Sequence, residues 1–180
     1  YRRMPPNAVD AVGRALGEGL PASPTADVPL VGAAGWRAVG NRVPRLAAEH
    51  GVPEEHVRRM LHRYGDEVPA VLAPIAADPA LGRPLPGADG HLPAEFRHAV
   101  THEGAATLSD VLTRRTHLAI ERPDGGTAAA PAVAALVAPL LGWDAERQAR
   151  EVAEYRAEVE RDRAALAVGA PARVSGTPRS

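Results

Sequence analysis

The sequence contains no cysteine, which excludes disulfides, thiolate metal sites and a cysteine nucleophile together. Lysine is missing too, since all 21 basic residues are arginine. With 37 alanines, 17 glycines and 18 prolines, this is the bias expected of a GC-rich genome. It makes any one arginine less informative, because arginine here does the surface work that lysine shares elsewhere. Aromatic side chains are scarce: two Trp, three Tyr and one Phe. The core must therefore be built from Leu, Val, Ala and Ile, and few positions can stack a flat ring. No run of about 18 apolar residues exists, so nothing in the sequence reads as a membrane span. The opening Tyr-Arg-Arg-Met-Pro-Pro has no apolar stretch behind it and does not read as a secretory leader. A formal net charge of −1 gives no compositional support for nucleic-acid binding. A length of 180 residues suits one ordinary domain, and a chain opening on Tyr1 is expected to be cut from something longer.

What is present reads as helix throughout. Asn7 to Leu16 places Ala8, Val9, Val12 and Leu16 on one face, and the Gly, Pro, Ser and Thr of residues 17–30 read as a linker. Val43 to His50 is predicted helical and ended by Gly51. Next comes a helix with Pro53 in its first turn, Val57, Met60, Leu61 and Tyr64 on one face, and Gly65 at its C-terminal end. Val68 to Ala76 is a short segment that Pro74 should bend, and residues 78–90 read as loop. Leu92 or Pro93 opens a helix to about Glu103. Thr107 and Asp110 have capping-box spacing at the start of a helix from Leu108 to about His117, with Leu108, Val111, Leu112 and Arg115 on one face. Ile120 to Ala130 is a turn around Asp124-Gly125-Gly126. Pro131 begins an apolar helix, Ala132 to Leu141, ended by Gly142. Asp144 caps the longest helix, about Ala145 to Ala167, with Ala149, Val152, Tyr155, Val159 and Leu166 on its packed face. Residues 169–180 have little to bury and are expected to be disordered. No alternating strand pattern is found, so the fold class is all-α.

Few residues suggest chemistry. His98 and His102 stand at i, i+4 and with Glu103 invite a zinc reading. The order H-x-x-x-H-E, however, does not place the carboxylate between the histidines, and no third ligand is indicated; ordinary surface or buried histidines are the simpler reading. Arg114, Arg115 and Thr116 raise a phosphate site. Successive helical residues diverge by about 100°, so one arginine at most should face a given ligand. The simpler reading pairs one arginine with Glu103 or Asp110, locking helix to helix, and leaves the other to solvent or a neighbouring domain. Val31-Gly32-Ala33-Ala34-Gly35 lacks the full dinucleotide pattern and reads as a turn leading into Trp36. Ser109 has no nucleophile-elbow context. The long last helix holds about three heptads, better suited to packing on its own domain than to a coiled coil.

A wider pattern runs from Glu95 to Thr116, E-x-x-x-A-V-x-x-E-x-A-x-T-L-x-D-V-L-x-R-R-T. It resembles the C-terminal helical domain of FAD-dependent glycerol-3-phosphate dehydrogenases. The similarity extends to Leu30-Val31-Gly32-Ala33, to Leu61-His62-Arg63-Tyr64-Gly65, and to Leu140-Leu141-Gly142-Trp143-Asp144 followed by Glu151 to Tyr155. Tyr1-Arg2-Arg3-Met4 is similar to the last residues of the segment that closes the flavin site in that family.

The resemblance implies oxidation of sn-glycerol 3-phosphate to dihydroxyacetone phosphate, with hydride passing to FAD and electrons to a quinone. The FAD domain of the same polypeptide, the phosphate-gripping arginines and the catalytic base would all precede Tyr1. Residues 1–16 would then be the end of the FAD domain, 17–30 a linker, 31–168 a C-terminal α-helical cap, and 169–180 a tail. This sequence departs from the family at Pro5-Pro6, where plain helix is usual. On this reading the 180 residues themselves are a non-catalytic cap with no catalytic and no metal residue. Tyr1 and Arg2 would lie nearest the flavin, and Arg114, Arg115, Glu103, Asp110 and Trp143 are interface or structural residues. The enzyme would be cytoplasmic, peripheral at the inner face of the cell membrane, and a homodimer is open to it. The competing expectation is a free-standing α-helical interaction or regulatory module, with helices 132–141 and 145–167 as its binding surface. A metal-dependent hydrolase built on His98 and His102 is a third.

Overall fold

A computed structural model describes residues 4–17, 20–21 and 23–169, and among these the chain is helical with no strand. Helix α1 is Met4–Leu16, starting earlier than Asn7 because prolines are accepted in a first helical turn. The stretch predicted as a linker holds one 3₁₀ turn, Pro24–Ala26, capped by Ser23. Then come α2 Trp36–Gly40, α3 Val43–His50, α4 Glu54–Tyr64 and α5 Val68–Leu72. Past Leu72 the chain tightens to 3₁₀ at Ala73–Ala76, the bend expected from Pro74, whose ring and missing N–H disfavour a continued α-helix. The second half holds α6 Pro93–Thr101, a π-helical turn Asp110–Arg115, α7 Leu118–Glu121, α8 Ala130–Leu141 and α9 Ala145–Gly169.

Helix ends follow local chemistry. Gly51 and Gly142 close α3 and α8 in the left-handed conformation, at φ 64° and 66°, where a Cβ would be strained. Asp144 caps α9, its Oδ1 accepting from the Arg147 N–H at 2.7 Å. Thr107 and Asp110 form the expected capping box: Thr107 Oγ1 accepts from the Asp110 N–H and Asp110 Oδ2 from the Thr107 N–H, both at 3.1 Å. The helix that follows is not the α-helix predicted from Leu108 to His117. After Leu108 and Ser109 it widens to i→i+5 bonding, and the Thr116 N–H reaches the Val111 carbonyl at 2.9 Å. His117, at φ 56°, then turns the chain into α7.

Among the described residues, two hydrophobic clusters make up the interior. One joins α2 to α6, with Val43, Leu46, Val57, Met60, Val68 and Leu72 at its centre. The other joins α6, the π turn, α8 and α9 around Phe96, Leu108, Leu112, Leu118, Val133 and Val137. Leu136 packs against both. Helix α6 packs on α8 and α8 on α9, so the apolar faces of α8 and α9 are already occupied. This removes most of the binding surface required by the interaction-module reading. The packed face of α9 also differs from the predicted one: Glu151 and Tyr155 are buried and Val152 and Val159 half-buried, while Ala149 and Leu166 are exposed. Beyond Val159 the helix is held at its side by Arg163, which donates to the Pro123 carbonyl at 2.5 Å, while Leu166 stays 76% exposed. The expected disordered tail lies outside the described residues apart from Gly169, which belongs to α9. Among the described residues no helix is long and apolar enough to cross a membrane.

Candidate functional site

The polar centre of the fold lies where α4, α6 and the π turn meet. Glu95, in the first turn of α6, has no solvent exposure. Its Oε1 accepts from the Leu92 N–H at 2.9 Å, capping its own helix, and from Arg59 Nη2 of α4 at 2.5 Å. Burial pushes the Glu95 carboxyl upward, against the pull of the Arg59 guanidinium and the Leu92 N–H. His91 is also buried, and its Nε2 lies 3.0 Å from both Arg59 Nη1 and the Thr116 carbonyl oxygen. That nitrogen can donate to the carbonyl or accept from the guanidinium, not both at once. Burial, then the Arg59 charge, push the His91 imidazole down to about 4, so the ring is neutral near pH 7.

Thr116 is the hub on the other side. The π turn ends there, and its carbonyl oxygen also accepts from Arg63 Nη1 at 2.7 Å. Two motifs recognised separately in the sequence, Arg63-Tyr64-Gly65 and Arg114-Arg115-Thr116, are thus joined by one hydrogen bond. A second junction joins two further motif glycines: the Asp66 N–H donates to the Gly32 carbonyl at 2.9 Å and the Gly35 N–H to Asp66 Oδ2 at 2.7 Å. The turn expected at residues 31–35 is therefore a clasp on the end of α4.

Beside this centre opens a cleft of about 780 Å³. Arg59, His62 and Arg63 of α4 form one wall; Arg114, Arg115 and His117 form the other, with Glu103 and Glu121 also lining it. Both members of the arginine pair face the same cleft, contrary to the divergence expected from an α-helix. The wider π turn brings successive residues closer in direction, and two long side chains complete the convergence. Arg114 Nη1 pairs with Asp110 Oδ1 at 2.5 Å on the same turn. Arg115 Nε donates to the Glu103 carbonyl at 2.8 Å, tying the π turn to the chain after α6. The Glu103 carboxyl is half-buried, its Oε2 lacks a partner, and burial pushes it upward. Trp143, at the α8–α9 junction, is half-buried and packs against the second cluster.

The other candidates have structural partners. His98 and His102 stack at 4.5 Å between ring centroids, His98 meets Tyr64 edge-on at 5.4 Å, and Thr101 Oγ1 lies 2.7 Å from His102 Nδ1. Among the described residues no three His, Cys, Asp or Glu converge on a metal position. Ser109 donates to Glu158 Oε1 at 2.8 Å and has no histidine beside it. Tyr1 and Arg2 lie outside the described residues. The FAD implied by the sequence resemblance does not fit the residues here. The cleft is walled by guanidinium, imidazole and carboxylate groups, with no Phe, Tyr, Trp or aliphatic residue to pack on a flavin ring. The described residues also provide no strand-turn-helix for a pyrophosphate.

Arg59 and His91, and the burial of Glu95 and Glu151, are not visible in the sequence; Glu151 Oε2 accepts from the Leu108 N–H at 2.8 Å. A carboxylate on an amphipathic helix reads as solvated. Glu95 and Glu151 stand out in the sequence only as members of the family motifs.

Residues 23–148 match the family described as the C-terminal domain of alpha-glycerophosphate oxidase. The chain is 45% identical over 160 residues to a glycerol-3-phosphate dehydrogenase of Mycobacterium leprae, covering 89% of this chain and 27% of that protein. It is 41% identical over 160 residues to glycerol-3-phosphate dehydrogenase 2 of Mycobacterium tuberculosis, with the same coverage of each. To glycerol-3-phosphate dehydrogenase 1 of Mycobacterium tuberculosis it is 38% identical over 99 residues, covering 53% of this chain and 17% of that protein. The chain thus spans about a quarter of the length of the first two of these relatives. No solved structure matches it. By its sequence match over most of the fold, the chain belongs to the family of the C-terminal domain of alpha-glycerophosphate oxidase.

Proposed function

We propose that this chain is the C-terminal helical cap of an FAD-dependent sn-glycerol-3-phosphate dehydrogenase. In that enzyme the flavin and the reacting groups lie in the part of the polypeptide absent here, and the cap packs against that part. FAD would supply hydride acceptance at that remote site; no residue described here takes part in the step. A quinone acceptor, a homodimer and a cytoplasmic position at the inner face of the membrane belong to the same proposal.

The observation that carries this reading is a set of exposed large apolar side chains in the N-terminal segment. Leu30, Val31 and Trp36 flank the clasp on α4, with Val31 90% exposed. On α1, Val9, Val12 and Leu16 are exposed as well. A short segment carrying this many large apolar side chains in water is the pattern of an interface, and the matched relatives extend far beyond the aligned stretch. The family motifs support a scaffold role in turn: Arg63 gives one N–H to the Thr116 carbonyl, and Glu95 accepts from Arg59 and from the Leu92 N–H.

The test compares two purified polypeptides, the 180 residues and the product of the whole reading frame that contains them. The longer product should carry a flavin absorption spectrum and the shorter none. A flavin spectrum in the isolated 180 residues would overturn the proposal.

A further inference from the structure

We propose that the cleft between α4 and the π turn binds a phosphate monoester. This stands on the geometry of the cleft and does not depend on the parent polypeptide being a dehydrogenase. Four guanidinium groups, Arg59, Arg63, Arg114 and Arg115, line one cavity of about 780 Å³. Arg59 and Arg114 have carboxylate partners outside the lining, Glu95 and Asp110, so the guanidinium charge open to an anion is that of Arg63 and Arg115.

The four arginines are not equally engaged. Arg59 is committed to Glu95. Arg63 and Arg115 each give one N–H to a backbone carbonyl, of Thr116 and Glu103, and among the described residues neither has a carboxylate within ion-pair distance. Their charges are thus uncompensated by direct pairing, while the carbonyl bonds fix their side chains in place. Fixing the donors beforehand reduces the entropy lost on binding, and the planar guanidinium fork matches phosphate oxygens two at a time. Arg114 is itself 60% exposed and is held only by Asp110, one turn away on the same segment, and a pair with one partner in solvent is weak enough to be given up for a ligand. His62 and His117 add ring nitrogens at the rim. Glu103 shares the lining, and its Oε2 is buried without a partner. No Phe, Tyr or Trp lines the cleft. The ligand is a small phosphate monoester, supplied free or as a lipid headgroup.

The test titrates the 180-residue protein with inorganic phosphate, with glycerol 3-phosphate and with vesicles containing phosphatidic acid. Amide NMR shifts and thermal stability are read against sodium chloride at matched ionic strength. Shifts should cluster at residues 59–63, 103 and 114–117, with a rise in Tm that chloride does not reproduce. Arg63→Gln, which keeps an N–H donor for Thr116, and Arg114→Gln should each weaken binding about tenfold, the worth of one charge-assisted hydrogen bond. Arg45→Gln, on the exposed side of α3, should leave it unchanged, and far-UV circular dichroism verifies that each variant is folded. Binding in solution identifies a free phosphate monoester; binding to vesicles alone, lost in Arg114→Gln, identifies a headgroup. Equal responses to phosphate and chloride, or binding indifferent to Arg114→Gln and Arg63→Gln, would overturn the proposal.

Discussion

Gly65→Ala should be among the most damaging single-methyl changes in this fold. Gly65 sits at φ 57°, ψ −125°, a conformation that side chains seldom enter, and holding a non-glycine residue there costs about 1–3 kcal/mol. Space is a second obstacle, since a Cβ at Gly65 would lie 1.9 Å from the Gly32 carbonyl oxygen and 2.6 Å from its carbon. Both atoms are backbone and cannot swing aside. The clasp must open, losing the Asp66 N–H bond to Gly32 and the Gly35 N–H bond to Asp66, each worth about 0.5–1.5 kcal/mol. Together these give a loss of roughly 3–5 kcal/mol, or about 10 °C in Tm for a chain of this size. Gly51→Ala is the matched control. Gly51 is also left-handed, at φ 64°, but a Cβ there meets nothing within 4 Å, so only about 1–2 kcal/mol of backbone strain is at stake. Urea denaturation of both variants decides the matter. If Gly65→Ala costs no more than Gly51→Ala, the close approach of the two motif glycines is not what holds the N-terminal segment on α4.

Other expectations follow from the buried polar groups. His91 is neutral in the folded protein down to about pH 4, whereas an unfolded histidine protonates near pH 6.5. Between those values the unfolded state binds more protons, so this group's contribution to stability falls as pH drops from 6.5 to 4, by roughly 3 kcal/mol. The raised Glu95 carboxyl acts in the opposite sense, so the His91 share is read as the difference in pH profile between wild type and His91→Gln; identical profiles would refute it. Glu151→Ala should cost about 1–3 kcal/mol in urea denaturation by orphaning the buried Leu108 N–H, while Glu151→Gln, which keeps an acceptor, should cost less. Leu166→Ala, at an exposed position on α9, should change stability by less than about 0.5 kcal/mol.

The helix ends were legible because each is set by a residue acting on its immediate neighbours. Gly51 and Gly142 supply the left-handed closing residue, Asp144 and the Thr107–Asp110 pair supply caps, and Pro74 disfavours continued α-helix. The π turn was not legible: its periodicity reads as an α-helix, and its extra residue shows only when Thr116 bonds back to Val111. Nor was the meeting of Gly32 with Gly65, because each glycine alone reads as a turn and their contact is a property of tertiary packing. The burial of Glu95 and Glu151 was hidden for the same reason, since their partners lie on other elements. Of the candidate site, the arginine pair was visible but its convergence with Arg59 and Arg63 across the cleft was not.

The central claim, that this cap serves a flavoenzyme acting on glycerol 3-phosphate, is tested most directly by anaerobic addition of sn-glycerol 3-phosphate to the purified product of the whole reading frame. The account predicts bleaching of the flavin band with formation of one dihydroxyacetone phosphate per flavin. A flavin that stays oxidised, or a whole polypeptide that carries none, would contradict it.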